Sequence, residues 1–310
     1  MLRHKETHHE TGGPQHELAL LACVAAVLAW SVGPLLVRGI TAPSIAFTPI
    51  RLLLSVPVMT LSAYMSGGRL TVEMVKRCFV PGVLFAASML SGFMSFQHTS
   101  IANATLISAL QPVLMLLVAP RLFGERPTVL RICMCVVALG GVSMVVFAAQ
   151  ANSEAGLSGD LYALINLVVW SAYFVVAKRA RDAGTHAGSF LAAVFLVATL
   201  VLVPVAIIAG ADFALVDGND WWLIAAQVII PGLIGHTLIT WATRYLDITL
   251  VSLINLLSPA ISMAGAWILY SQSMQVLQVV GAVVMLIAVG VVVRTRNASV
   301  QPVAEAITAE

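Results

Sequence analysis

Residues 103–112 read Asn103-Ala104-Thr105-Leu106-Ile107-Ser108-Ala109-Leu110-Gln111-Pro112, and residues 250–259 read Leu250-Val251-Ser252-Leu253-Ile254-Asn255-Leu256-Leu257-Ser258-Pro259. Superimposed at the constant offset of 147 that carries Pro112 onto Pro259, the two stretches keep the proline, the apolar positions and the small or polar residues in register. The correspondence extends over 91–143 and 238–290, where Leu122-Phe123-Gly124-Glu125 falls on Leu269-Tyr270-Ser271-Gln272. Small shifts of offset bring Trp30-Ser31 onto Trp170-Ser171 and Pro57 onto Pro204. A duplicated apolar unit points to a transporter.

The 310 residues are 60% hydrophobic and only 10% charged, against roughly 25% charged in soluble domains. The solvent of this chain is therefore a bilayer. A span needs about 20 apolar residues, and ten such runs occur, near 18–37, 44–64, 79–96, 103–119, 129–149, 161–177, 187–209, 221–242, 249–269 and 276–293. The first lacks a small-residue cleavage site and leads at once into another span, so it reads as a first helix and not a signal peptide. The prediction is an all-α membrane protein of ten transmembrane helices in two inverted five-helix repeats. Its parts are a disordered cytoplasmic tail (1–17), the first repeat (18–149), an external linker (150–160), the second repeat (161–293) and a cytoplasmic tail (294–310).

Charge sets the expected orientation. With the N-terminus inside, the cytoplasmic segments hold fourteen of the sixteen Lys and Arg residues, the external side holds Arg38, and Arg51 lies within a span. Both termini are then cytoplasmic. Five spans per repeat is an odd number, so the second copy enters upside down. Such related halves exchange inward-open and outward-open shapes.

Arg51 is the sharpest candidate for a role in recognition, because a guanidinium near the bilayer centre costs at least about 2.5–3.5 kcal/mol on insertion scales. It is read either as a substrate or gating cation or as a structural group bonded to helix-end carbonyls freed by Pro49. His236 is the other strongly ionisable side chain well inside a span. It is a candidate for proton coupling, or else a neutral bond between helices. Trp30 and Trp170 are repeat mates whose rings either line a cavity or pack. Asn103, Ser108 and Gln111, with Asn255 and Ser258 in the second copy, offer a polar set at membrane depth, to which Ser88, Asn166 and Tyr173 add. Any one of them also serves as an ordinary interhelical bond. Pro57, Pro112, Pro204 and Pro259 are expected hinges, since proline deletes a backbone bond.

The four cysteines make no metal or redox pattern, no metal or cofactor is expected, and nothing resembles nucleotide binding. A membrane enzyme would need an acidic metal cluster or a catalytic constellation at the interface, and none is apparent. A passive structural or receptor protein has no need of inverted duplication.

The stretch Ser100 to Ile107 running on to Pro112, with Leu122-Phe123-Gly124-Glu125-Arg126, Gly140-Gly141, Pro49-Ile50-Arg51 and Trp30, resembles the EamA-type permeases of the drug/metabolite transporter superfamily. The resemblance covers about residues 18–293. Two departures stand out: Gln272 occupies a position where such permeases commonly carry Glu, and the repeat mate of Arg51 is about Ala198. The resemblance implies a secondary or facilitative exporter of amino acids or related metabolites, a drug or organic-solute efflux carrier being the alternative. It implies a small-molecule substrate, a lipid bilayer and no nucleic acid as partners, in the cell membrane, the inner membrane of a bacterium. Homodimer association is expected through small residues such as Gly140, Gly141 and Gly281.

Overall fold

A computed structural model of the chain describes residues 14–99, 104, 107–108, 110–124, 128–149, 157–270 and 276–298. Inside hydrocarbon the backbone must satisfy its own hydrogen bonds, which leaves helices as the way to use such apolar runs. Among the described residues the regular structure is entirely helical.

The first helix, α1 (Pro14–Gly39), opens on a proline, with Glu17 in its first turn and Arg38 in its last, charges that complement the helix dipole. Next come α2 (Ser44–Met65), the short α3 (Val72–Arg77) capped by Thr71, and α4 (Phe79–His98). After these follow α5 (Gln111–Phe123), stopped by Gly124 in the left-handed region, and α6 (Val129–Ala149). The second half holds α7 (Leu157–Asp182), α8 (Ala187–Ile208) and α9 (Gly218–Ala242). Last are α10 (Ile248–Asn255), α11 (Leu257–Tyr270) and α12 (Val276–Ala298).

Six helices (α1, α2, α4, α7, α8 and α9) are long and apolar enough to cross a membrane. Shorter apolar helical stretches, Leu114–Phe123, Val129–Gly141, Ile248–Ser262 and Val279–Ala288, overlap the other four expected spans in part. Several helices outrun the apolar windows that announced them: α1 starts at Pro14, α7 at Leu157, and α12 reaches Ala298. Polar end residues extend a helix past its hydrocarbon segment without changing its winding. Leu53, Leu61, Val168, Leu200 and Ile287 are exposed on the outer faces, as lipid-facing residues should be.

The helices pack in pairs: α1 along α9, α4 along α7, α2 along α8, and α6 along α12. Small residues permit the close approaches. A Cβ on Gly188 would lie 2.8 Å from the Ala63 Cα of α2, and one on Gly82 would lie 2.5 Å from Val197 of α8. Of the glycines expected to support association, Gly141 and Gly281 are buried and Gly140 is exposed.

Polar clasps tie both ends of the bundle. At one end the buried Asp220 carboxylate accepts from Thr41 N–H (2.9 Å), Thr41 Oγ1 (3.0 Å) and Ala42 N–H (3.1 Å). At the other, Arg181 donates to the carbonyls of Thr240 and Thr185, and Arg131 pairs with Asp247 at 3.1 Å. Gly82→Leu is expected to lower the thermal midpoint of the detergent-solubilised protein, at about 1–3 kcal/mol for overpacking. Gly140→Leu, which faces open space, leaves it unchanged; fluorescence-monitored unfolding distinguishes the two.

Candidate functional site

Two adjoining chambers lie in the middle of the bundle, about 120 and 170 Å³ in volume, sharing Phe96, Ser108, Gln111 and Asn255 as walls. A void of about 150 Å³ holds a benzene-sized guest. The smaller chamber adds Pro34 of α1 and Ser252, Ser258 and Ser262 from either side of a helix break. That break falls at Leu256, between α10 and α11 and three residues before Pro259. It turns Asn255 and Ser258 onto a common wall. Ser31 and Ser262 knit α1 to α11 there, Ser262 donating to Ser31 O at 2.8 Å.

The larger chamber is bounded by Ser88, Met89, Gly92 and Phe93 of α4 and by Asn166, Leu167 and Trp170 of α7. Ser88 Oγ donates to Asn166 Oδ1 at 2.8 Å, which leaves the Asn166 amide nitrogen as a donor. Gly92 makes room for that amide, since a Cβ there would come within 3.2 Å of it. Asn255 Nδ2 donates to Gln111 Oε1 at 3.4 Å, while Gln111 Nε2 is buried with no partner among the described residues. An orphaned buried donor is costly. Among the described residues the chamber walls thus carry amide and hydroxyl groups and no charged side chain.

Toward the Arg181 end the chambers meet an aromatic layer. Trp170 belongs to both, and its ring centroid lies 5.6 Å from Trp30, 5.2 Å from Tyr173 and 4.9 Å from Phe174. Beyond the layer lies a void of about 10 Å³ between Trp30, Ala177, His236, Thr240 and Thr243, room for about one water. His236 is 2% exposed and ringed by Trp30 (5.1 Å), Phe85 (5.1 Å), Phe195 (5.7 Å) and Trp170 (6.0 Å). It stands in the aromatic layer and outside the walls of both chambers.

The middle of α9, Val228–Gly235, is wound as a π-helix containing Pro231. Wide turns of this kind gather at functional sites. Here α1 braces the distortion: Trp30 Nε1 donates to Pro231 O at 3.1 Å, and Gln227 Nε2 donates to Gly33 O at 2.7 Å. Gly235 lets the indole lie against the backbone, because a Cβ there would meet the Trp30 ring at 2.5 Å.

Arg51 is 2% exposed and sits directly behind the larger chamber. Its Nη1 donates to Met89 Sδ at 3.2 Å, and its guanidinium carbon lies 5.4 Å from the Phe93 ring centroid. The Nε atom has no hydrogen-bond partner, and no described carboxylate pairs with the group. Of the residues singled out from sequence, Ser108, Gln111, Trp170, Asn255 and Ser258 line the chambers, as does Pro112, the second residue of α5. Trp30 and His236 belong to the aromatic layer, and Arg51 lies behind the larger chamber. Asn103 lies outside the described residues. Pro57 and Pro204 lie within α2 and α8, which pack on one another. Met89, Phe93 and Phe96 gave no sign of themselves, being apolar residues in an apolar helix.

A cavity lined in part by amides and hydroxyls inside an apolar helical bundle suits a membrane transporter. Residues 17–147 and 157–294 each match the EamA-like transporter family, and the chain belongs to that family, within the drug/metabolite transporter superfamily. It is 24% identical over 283 residues to the pseudopaline exporter CntI of Pseudomonas aeruginosa, in strains UCBPP-PA14 and PAO1 alike, covering 90% of this chain and 96% of the relative. A protein of solved crystal structure shares the fold, with a TM-score of 0.73 and 20% identity over 88% of this chain and 96% of that one. The chain is a multi-pass membrane transporter, and the rival reading as a membrane enzyme gains nothing from these matches.

In a cysteine-free background, Ser108→Cys and Ser258→Cys should label readily with a small water-soluble thiol reagent. Ser55→Cys, fully buried and replacing a hydroxyl bonded to Arg51 O, should stay unlabelled; mass spectrometry of the intact protein reads all three.

Proposed function

We propose that the protein is a secondary or facilitative carrier that exports small amino-acid-related metabolites bearing a carboxylate, by alternating access of the two chambers. The observation that carries this reading is the pairing of an uncharged polar chamber with an unneutralised guanidinium directly behind its wall. A planar guanidinium suits a carboxylate. The faces of Phe93, Phe96 and Trp170 suit a modest apolar part, and the Asn166, Gln111 and Asn255 amides suit its polar groups. A cationic drug would find no counter-charge among the described chamber walls. Export as the direction draws support from the relative's activity.

The carrier would hold ten spans in two inverted five-helix repeats. Two family matches of similar length support this, and so does the helix pairing. Exchanging each helix for its repeat mate turns the pair α1–α9 into α7–α4, while α2–α8 and α6–α12 map onto themselves. The Arg181 end gathers Arg69, Lys76, Arg77, Lys178, Arg179 and Arg244, which favours the cytoplasmic side for that end and for both termini. In a bacterium the membrane would be the inner one. The aromatic layer would then close the chambers from the cytoplasm.

Orientation is tested by labelling intact cells in the cysteine-free background: Ala214→Cys should react with an impermeant reagent from outside, and Ala183→Cys only after permeabilisation. The reverse pattern would invert the proposed direction of access. Recognition is tested in proteoliposomes with a panel of α-amino acids and their amides. Arg51→Ala should reduce transport of the acids by roughly two orders of magnitude, the consequence of leaving a buried carboxylate unpaired, with protein abundance near normal. Arg51→Lys should retain a part. Unchanged transport of the acids by a well-expressed Arg51→Ala protein would remove the carboxylate from the substrate class.

A further inference from the structure

A guanidinium at membrane depth that serves only the fold is held by carbonyls or an acid. Arg51 has neither among the described residues. Its one hydrogen-bond acceptor is the Met89 thioether, a weak one, its Nε is unpartnered, and the Phe93 face supplies the remaining polar contact. Both Met89 and Phe93 are walls of the larger chamber, and Arg51 is not. Two side chains thus separate a buried cation from a polar cavity.

The two covers differ in freedom. The Phe93 ring packs at a tilt against Phe47, 5.4 Å between centroids, beside a small buried cluster at the Asp220 end. Met89 is unbranched, with three rotatable bonds and a soft sulfur that trades contacts easily. A Cβ on Gly232 of the π segment would stand 3.9 Å from Nη2, so this segment also approaches the guanidinium. Of the two side chains between the cation and the chamber, Met89 is therefore the more movable.

We propose that Met89 is a displaceable cover over a cryptic anion subsite: a carboxylate entering the larger chamber moves the thioether aside and accepts the Nη1 hydrogen bond that sulfur now holds. Phe93 stays as the fixed wall. This rests on the reading of Arg51 as the carboxylate-recognising group and adds the residue that controls access to it. The empty carrier keeps its charge sheathed in apolar matter, and the loaded one exposes it to a single partner.

The test uses full-length, detergent-solubilised protein without native cysteines, carrying Met89→Cys, and two methanethiosulfonate reagents of similar size, one anionic (sulfonatoethyl) and one cationic (trimethylammonioethyl). Each rate is divided by that for free 2-mercaptoethanol. An unpaired guanidinium beside the thiol should favour the anionic reagent by about tenfold. Ser258→Cys should give a ratio near one, and Arg51→Gln in the Met89→Cys protein should bring that ratio to one as well. Phe93→Cys supplies the same measurement if Met89→Cys does not fold. The cover itself is read by phenylglyoxal modification of Arg51, followed by mass spectrometry. Arg51 should be unreactive with Met89 present and react at least about tenfold faster in Met89→Ala, with benzoate protecting it. A ratio near one with Arg51 intact, or equal phenylglyoxal reactivity in parent and Met89→Ala, would overturn the cover. An anion preference in a protein that transports no carboxylate would leave the cover standing and overturn the substrate class. Loss of transport in Arg51→Ala without any anion preference would do the reverse.

Discussion

Backbone in hydrocarbon has no water to turn to, and the rest of this molecule is arranged around that constraint. Regular helices meet it over most of the described residues. Two departures are the π-wound Val228–Gly235 segment and the break at Leu256. At the first, the Trp30 indole and the Gln227 amide supply the bonds that brace the distortion across to α1. At the second, serine hydroxyls on α1 and α11 do so. The chambers occupy the same interior as these irregularities, because polar groups that brace an irregular backbone are also the groups that make a cavity wettable.

Charge follows the same economy. The described chamber walls have none, and the Arg51 cation is held back behind a thioether and a phenyl ring. A bare guanidinium facing an empty cavity would bind water or a stray ion tightly and hold it. Sheathing lowers that attraction until a ligand brings its own apolar surface. On the other side, the aromatic layer around His236 separates the chambers from the Arg181 end by packing alone, a barrier that rotamer changes can open without breaking a salt bridge.

Much of this was legible in the sequence because bilayers make polar residues conspicuous. Arg51, Ser108, Gln111, Asn255 and Ser258 stood out as the few groups that apolar runs have no reason to contain, and the structure brings them to the chambers or directly behind their wall. The repeated Trp-Ser pair likewise marked Trp30 and Trp170, which meet edge to face. What escaped was apolar. Met89, Phe93 and Phe96 differ from their lipid-facing neighbours only in direction, and periodicity cannot show direction when core and solvent are both oily. The π winding escaped for a related reason: Pro231, Gly232 and Gly235 announce a weak point in a helix without saying how it is rewound. Asp220 escaped as well: an acid in the first turn of α9 carries no mark of burial in the sequence, yet it is buried against the α1–α2 turn.

That last residue has an evolutionary consequence. Asp220 and the Thr41-Ala42 turn lie 179 and 178 positions apart in the chain but share one set of three hydrogen bonds in a buried place. Loss of the acid strands two amide donors and a hydroxyl; loss of the threonine hydroxyl leaves a carboxylate short of donors where water is scarce. Neither half can drift alone without penalty. Among descendants of this chain the two sites should therefore change together or not at all, a linked pair of characters written far apart in the gene by a contact a few ångströms long.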